Sequence, residues 1–270
     1  MSKASLGFSM RMLCLCLALL GAACASSDAS PATPMVAPVV APAVAASVSM
    51  AVAPAPPAAQ EAASDVALTP AHILGAMTEA YKACTSYRDS GVSTTKITKG
   101  PILQKPFKTA FMRPGRFRFE FSQQVLFSKQ LWVVWTDGTT VRGWSTVGNW
   151  SRADDLQSAL AEATGVSGGT ALMVPTLLLP ADGSGALLKQ MTDVERIADS
   201  DVGAAHCYCL RGRLGESSVT VWIDQQTHLL LRMERLSKSD DLEATEVTTY
   251  EPEIDIQIAD AELELIPPDK

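Results

Sequence analysis

Two long blocks of this chain alternate apolar and polar residues with a period of two, and a short stretch of helical period separates them. No other feature limits the possible folds as strongly. A period of two sends successive side chains to opposite faces of a strand, so each block reads as a series of half-buried strands. The clearest run is F107-K-T-A-F-M-R-P-G-R-F-R-F-E-F121. Phe117, Phe119 and Phe121 share one face, while Arg116, Arg118 and Glu120 share the other. Between its two halves, R113-P-G-R116 makes a corner. The first block predicts strands near 92–99, 106–112, 116–122, 130–136 and 139–145, with Asp137-Gly138 as a tight-turn signal before the last. The second predicts strands near 190–199, 204–212, 217–224, 228–237 and 243–250. Consecutive hairpins of this kind form an antiparallel meander.

Helical signals flank the first block. Thr69-Pro70 supplies an N-cap and a proline at the first helical position, and Ile73, Met77, Ala80, Tyr81 and Cys84 follow on one face, before 85–91 ends the helix. After the block, Ser151 is placed to cap a second helix with Asp154 and Asp155 in its first turn. Leu156, Ala159, Leu160 and Ala163 form its stripe, and Gly165 its stop. Gly168-Gly169 then leads into T170-A-L-M-V-P-T-L-L-L179, which has few polar groups. The order predicts an α+β fold: about ten or eleven strands in one unclosed, strongly curled antiparallel barrel, with helices covering the concave face. Such a face is either a packed core or a cavity. Its candidate lining is Phe107, Phe111, Phe117, Phe119, Phe121, Trp132, Trp135 and Trp144, together with Leu172, Met173 and Leu177 from the insert. Packed core is the plainer reading, because alternation shows burial and not what fills the space. The segment from Leu172 to Leu179 reads equally as a static buried helix or as a lid hinged at Gly168-Gly169 and kinked at Pro175.

The blocks assign the folded domain to residues 65–270. Residues 25–64 are nearly all Ala, Pro, Val and Ser, with seven prolines and only Asp28 and Glu61 charged, a composition that makes a tether and not a core. Residues 1–24 have the form of a bacterial export signal, with Lys3 and Arg11 before a short apolar run from Met12 to Ala23. That run is far below the ~20 residues of a membrane-spanning helix. It ends in L20-G-A-A-C24, which resembles a lipobox, although Gly21 stands where an aliphatic residue is usual. The resemblance implies cleavage before Cys24 and its acylation, with palmitate-type chains anchoring the protein. Because Ala25 and not aspartate follows, the sorting rule that goes with the resemblance points to the periplasmic face of the outer membrane. A net charge of −7 argues against a nucleic-acid partner. The charge is uneven: residues 96–152 hold ten Lys/Arg and two Asp/Glu, and residues 237–270 hold two Lys/Arg and eleven Asp/Glu. Solvated strand faces explain this, and a basic side that meets anionic headgroups or an acidic partner is the sharper reading.

Several short motifs, in order, resemble the LolA/LolB-type periplasmic lipoprotein carriers and their relatives. They are T85-S-Y87, F111-M-R-P-G-R-F-R-F119, W135-T-D-G-T-T-V-R-G-W144, the helical insert after N149-W150, W222-I-D224 and the tail Leu263-Glu264-Leu265-Ile266-Pro267-Pro268. The set spans nearly all of 69–268. The resemblance implies an unclosed barrel whose cavity holds acyl chains and whose mouth is covered by helices. It also implies that the arginine of the Arg-Pro motif, Arg113 here, hydrogen-bonds to the helical lid and gates access. Two departures bear on the task. The chain carries a lipidation signal, as the receptor of that system does and the carrier does not, and no hydrophobic loop of the receptor type stands out between strands.

Other chemistry finds little support. Cys207 and Cys209 share a strand face and are poorly placed to bridge each other, whereas an oxidising compartment permits Cys84 to pair with one of them, Cys207 being the candidate. With His206 alone beside them, the two thiols lack the further ligands a metal needs. His72, His206 and His228 are scattered, and no catalytic or phosphate-binding motif is present, so neither an enzyme nor a cofactor is expected. The function expected is to hold or relay an acylated or lipophilic ligand. The alternative is a non-enzymatic module of the same fold that grips another envelope protein or senses envelope stress.

Overall fold

The computed structural model describes residues 68–265, apart from 99, 126, 168, 180–186 and 240–241. The export signal with Cys24 and the 25–64 tether lie outside the described residues.

Helix α1 runs Pro70–Ala83, and its Thr69 N-cap accepts a hydrogen bond from the His72 amide. The first block folds as β1 (Ser86–Ile97), β2 (Ile102–Met112), β3 (Arg116–Val125), β4 (Ser128–Thr136), β5 (Val141–Ser145) and β6 (Gly148–Arg152). Then come α2 (Leu156–Ser167), a 3-10 turn (Thr170–Leu172) and the short α3 (Val174–Leu178). The second block folds as β7 (Thr192–Val202), β8 (Ala205–Leu214), β9 (Ser217–Asp224), β10 (Leu230–Ser239) and β11 (Leu242–Tyr250). The two-residue β12 (Glu253–Ile254) and the one-turn α4 (Asp260–Leu263) finish the chain.

All strands belong to one antiparallel sheet in the order β6-β5-β4-β3-β2-β1-β11-β10-β9-β8-β7, with β12 beside β1. The sheet is not closed: β6 and β7 form its two ends. The two blocks join through β1 and β11, where Gly91 stands opposite Tyr250 and Ile97 opposite Ala244.

Four local expectations are corrected. Strand β6 takes up Ser151, and at the start of α2 the Asp155 carboxylate accepts from the Ser158 amide at 2.7 Å. Helix α2 continues through Gly165 to Ser167, since one helical glycine costs only about 1 kcal/mol. Pro175 sits in the first turn of α3, where its missing N–H is harmless, and so starts a helix and does not kink one. The turn after β4 spans 137–140, with the Asp137 carboxylate accepting from the amides of Thr139 and Thr140.

One face of the sheet is the core. Phe107, Phe111, Phe117, Phe119 and Phe121 meet Ile73, Met77 and Tyr81 of α1, Leu160 of α2 and Leu177 of α3 in a single buried cluster. It extends across the sheet to Met233, Val221 and Leu210. Phe117, Phe119 and Phe121 are each 1% exposed or less, and a buried side chain of this kind contributes about 2–3 kcal/mol. The other face of β2 and β3 is covered by the chain end. Ala110, Ile258 and Leu263 form a small second cluster there, and the Trp135 indole donates to the Leu263 carbonyl at 2.7 Å.

The chain end also makes ion pairs with the sheet. Arg116 pairs with Asp260, and Arg88 with Glu253 and Glu262. Part of the acidic tail is therefore the partner of the basic strands.

Candidate functional site

Arg113 follows β2 directly, and its own amide donates to the Thr85 carbonyl at 2.9 Å, which fixes where its side chain starts. The guanidinium then reaches the end of α1. Its Nε donates to the Cys84 carbonyl at 2.8 Å, and its Nη2 to the carbonyls of Lys82 at 2.7 Å and Tyr81 at 3.3 Å. A helix leaves its last four carbonyls without partners, and a fixed fork of donors is suited to them. The same Nη2 lies 3.4 Å from the Leu178 carbonyl of α3. One guanidinium thus touches the ends of two helices, while its own plane rests over the Phe111 ring, 5.0 Å from the centroid.

Beneath these helix ends lies the phenylalanine stripe. Phe121 stacks on Trp132 with centroids 4.9 Å apart, and Phe119 lies 5.9 Å from Phe121 and 6.1 Å from Phe107. Met173 and Leu177 are buried in the same cluster, and Leu172 and Trp132 pack against it. Phe107, Phe111, Phe117, Phe119, Phe121, Trp132, Leu172, Met173 and Leu177 are thereby brought together. Trp144 is not. It stands opposite Val133, and Trp132 opposite Ser145, so Trp144 points to the other face of the sheet. Trp135 is on that other face too. The alternation is legible in W135…W144, but which phase faces inward depends on the loop between them.

In this state the stripe is packed and closed. The two open grooves described, of about 870 and 430 Å³, both lie on the opposite face. The larger runs past Arg88, Lys108, Arg118, Glu120, Glu251 and Glu262.

The cysteines depart from the expected pairing. Cys84, Cys207 and Cys209 are all free thiols. Cys84 sits at the turn into β1, whereas Cys207 is on β8, four strands away. At ~4.8 Å per strand that is about 19 Å along the sheet, against the ~6 Å between Cα atoms a disulfide needs. Burial pushes the Cys207 thiol up to about 11 and raises that of Cys84.

Two features were not legible as sites. Asp89, Thr109, Thr248 and Tyr250 are buried on the inner face among the aromatics. The Tyr87 hydroxyl donates to Asp89 Oδ2 at 2.8 Å, yet burial still raises the Asp89 carboxyl from 3.8 to about 6, eased only partly by the neighbouring Thr109 and Tyr87. The second is a set of exposed apolar tips. Phe127, in the β3–β4 turn, is fully exposed, and Ile102, Val147 and Leu242 are exposed as well. Antiparallel pairing puts all four at the same end of the sheet, opposite to Arg113. The reading that no hydrophobic loop stands out between strands is corrected: V125-L-F-S128 passes for strand in sequence because its alternation continues into the turn.

No family model matches the chain, and no curated protein sequence matches it. Similar solved structures include a LolA superfamily protein from Nitrosomonas europaea (12% identity, TM-score 0.31, covering 74% of this chain and 99% of that one). An outer membrane lipoprotein-sorting protein domain from Vibrio parahaemolyticus is similar at 9% identity and TM-score 0.30, covering 71% and 94%. The Pseudomonas aeruginosa MucA/MucB complex is similar at 14% identity and TM-score 0.40, covering 72% of this chain. The chain spans 59% of the length of that last structure's chain.

Proposed function

We propose that this chain is a lipid-anchored binding protein of the periplasmic face of the outer membrane, not an enzyme, which holds or relays an acylated or otherwise lipophilic ligand. The observation that carries the reading is the reach of Arg113. A single side chain at the edge of the phenylalanine stripe supplies partners to the ends of both α1 and α3, so losing it loosens the two covering helices together. The closed stripe is then the resting state. In the ligand-bound state α3 and the 3-10 turn move off the sheet, and acyl chains occupy the space beside Phe107, Phe119 and Phe121. Burial of a chain there is worth about 0.8 kcal/mol per methylene, which works against the contacts given up by the lid. Gly169, in a left-handed conformation with φ of 95°, sits where the lid begins.

Lipidation at Cys24 and the spacing role of 25–64 complete this reading. The exposed tips of Phe127, Ile102, Val147 and Leu242, with Lys96 and Lys129 beside them, suit a surface that meets a bilayer.

The test is Arg113→Leu, with transfer of a fluorescent acyl probe followed by stopped flow. The variant should stay folded and change its exchange rate by about tenfold, the scale of one charged hydrogen bond lost. An unchanged rate in a folded variant sinks the gating role. The competing function is a module that grips another envelope protein with the same domain, and it is favoured if no acyl probe enters at all.

A further inference from the structure

A strip of polar side chains runs through the middle of the apolar interior. Strand β1 contributes Asp89 and Ser93 to the inner face, and β11 contributes Glu246, Thr248 and Tyr250; all five are at most 5% exposed. Thr109 of β2 stands directly opposite Asp89. On one side of the strip are Phe107, Phe111 and Phe119, and on the other Met233, Val221 and Leu210. Between Asp89 and Ser93 is Gly91, and the Phe107 ring packs over it so closely that an added Cβ would lie 2.4 Å from the ring.

Part of the strip is satisfied internally. Tyr87 donates to Asp89 Oδ2, Ser93 donates to Glu246 Oε1 at 2.7 Å, and Arg235 Nε lies 3.8 Å from Glu246 Oε2. The rest is not. Asp89 Oδ1, Thr109 Oγ1, Thr248 Oγ1 and the Tyr250 hydroxyl are buried with no hydrogen-bond partner among the described residues. Thr109, through its side chain and its backbone, still eases the Asp89 charge, so these two are partly satisfied by each other. Buried polar atoms are almost always paired, and leaving one unpaired is costly. Four such atoms in one strip, inside a core otherwise built of phenylalanine, methionine and leucine, set it apart from the rest of the interior. Among the described residues no Lys, Arg or His makes an ion pair with Asp89, so its charge is also left uncompensated.

We propose that this strip is a subsite for the head of the ligand, selecting amphiphiles whose polar group donates hydrogen bonds and carries no negative charge, with Asp89 as the acceptor and the phenylalanine stripe taking the chain. The inference rests on the ligand-holding reading above and narrows it to a class of head group: amine, amide or alcohol. An ammonium or N–H meets Asp89 Oδ1, and the hydroxyls of Thr109, Thr248 and Tyr250 can turn to donate or accept as the head requires. A fatty-acid carboxylate would face an unpaired buried carboxylate instead, which is a discriminating repulsion.

The experiment is isothermal titration of the full chain at pH 8 and 0.15 M salt, below micelle formation, with dodecylamine and with laurate, which has the same chain length. Dodecylamine should bind about tenfold or more tightly than laurate, as one charge-assisted hydrogen bond implies. Asp89→Asn, checked as folded by its thermal transition, should lose about tenfold in dodecylamine affinity. Glu216→Gln, the same loss of charge at the exposed β8–β9 turn, should stay within about twofold. Laurate binding as tightly as dodecylamine, or an indifferent Asp89→Asn, overturns the head-group subsite and leaves ligand holding intact. Binding of neither chain overturns both.

Discussion

Asp89 is the residue whose placement costs this fold most clearly. Its carboxyl titrates near 3.8 when unfolded and at about 6 in the folded chain. Between those values the folded state holds more protons than the unfolded one, so stability falls as pH rises from about 4 to about 6. Above that window the full cost is present, about 3 kcal/mol for a shift of this size. Asp89→Asn keeps an acceptor for the Tyr87 hydroxyl and removes the charge. It should raise stability at pH 8 by about 1–3 kcal/mol and flatten the dependence between pH 4 and 6, as read by urea unfolding. A variant less stable than the parent at pH 8 would show that the buried charge is compensated. Arg113 differs in kind: its hydrogen bonds are to backbone carbonyls, whose positions depend on helix ends and not on any side chain. No sequence pattern announces such contacts, so the Arg-Pro motif pointed to Arg113 only through its resemblance to a family.

At the scale of elements, the helices are unequal. Helix α1 has a Thr69 cap and three fully buried side chains, Ile73, Met77 and Tyr81, and the Tyr81 hydroxyl accepts from the Leu230 amide at 3.1 Å. Helix α3 has five residues and no side-chain cap. Short uncapped helices hold only through tertiary contacts, so 170–178 should exchange amide hydrogens much faster than β8–β10, and faster again in Arg113→Leu. Equal protection of α3 and β9 would contradict a movable lid. The strands were the most legible part. Ten of them follow from alternation, with boundaries within a few residues except where β1 begins at Ser86, because Y87-R-D-S-G91 mixes buried Tyr and Asp on one face and hides its period. The strand β6 was hidden for a different reason: Ser151, Asp154 and Asp155 are helix-start residues, and pairing with β5 overrides that local preference for Ser151. The pairing of β1 with β11, which joins the two blocks, is a contact between residues more than 140 positions apart and leaves no local signal. The cavity residues were legible as one face, but the phase of β5 was not, and Trp144 went to the wrong side with it.

At the scale of the whole molecule, the sheet has two differentiated ends. Arg113 and the helix termini occupy one; the apolar tips of Phe127, Ile102, Val147 and Leu242 occupy the other. Phe127→Ser should weaken sedimentation of the unlipidated chain with anionic vesicles by about thirtyfold, given that an exposed aromatic side chain buries at about 2 kcal/mol, and should leave thermal stability unchanged. Equal sedimentation would mean that this rim does not meet a bilayer. The central claim is that the packed stripe opens to hold an acyl chain. It is tested most directly by native mass spectrometry of the full chain extracted from membranes. The expected spectrum carries a non-covalent adduct of lipid mass, beyond any covalent anchor, that leaves on collisional activation and is depleted in Arg113→Leu. A spectrum of bare protein under every gentle extraction, in parent and variant alike, would contradict it.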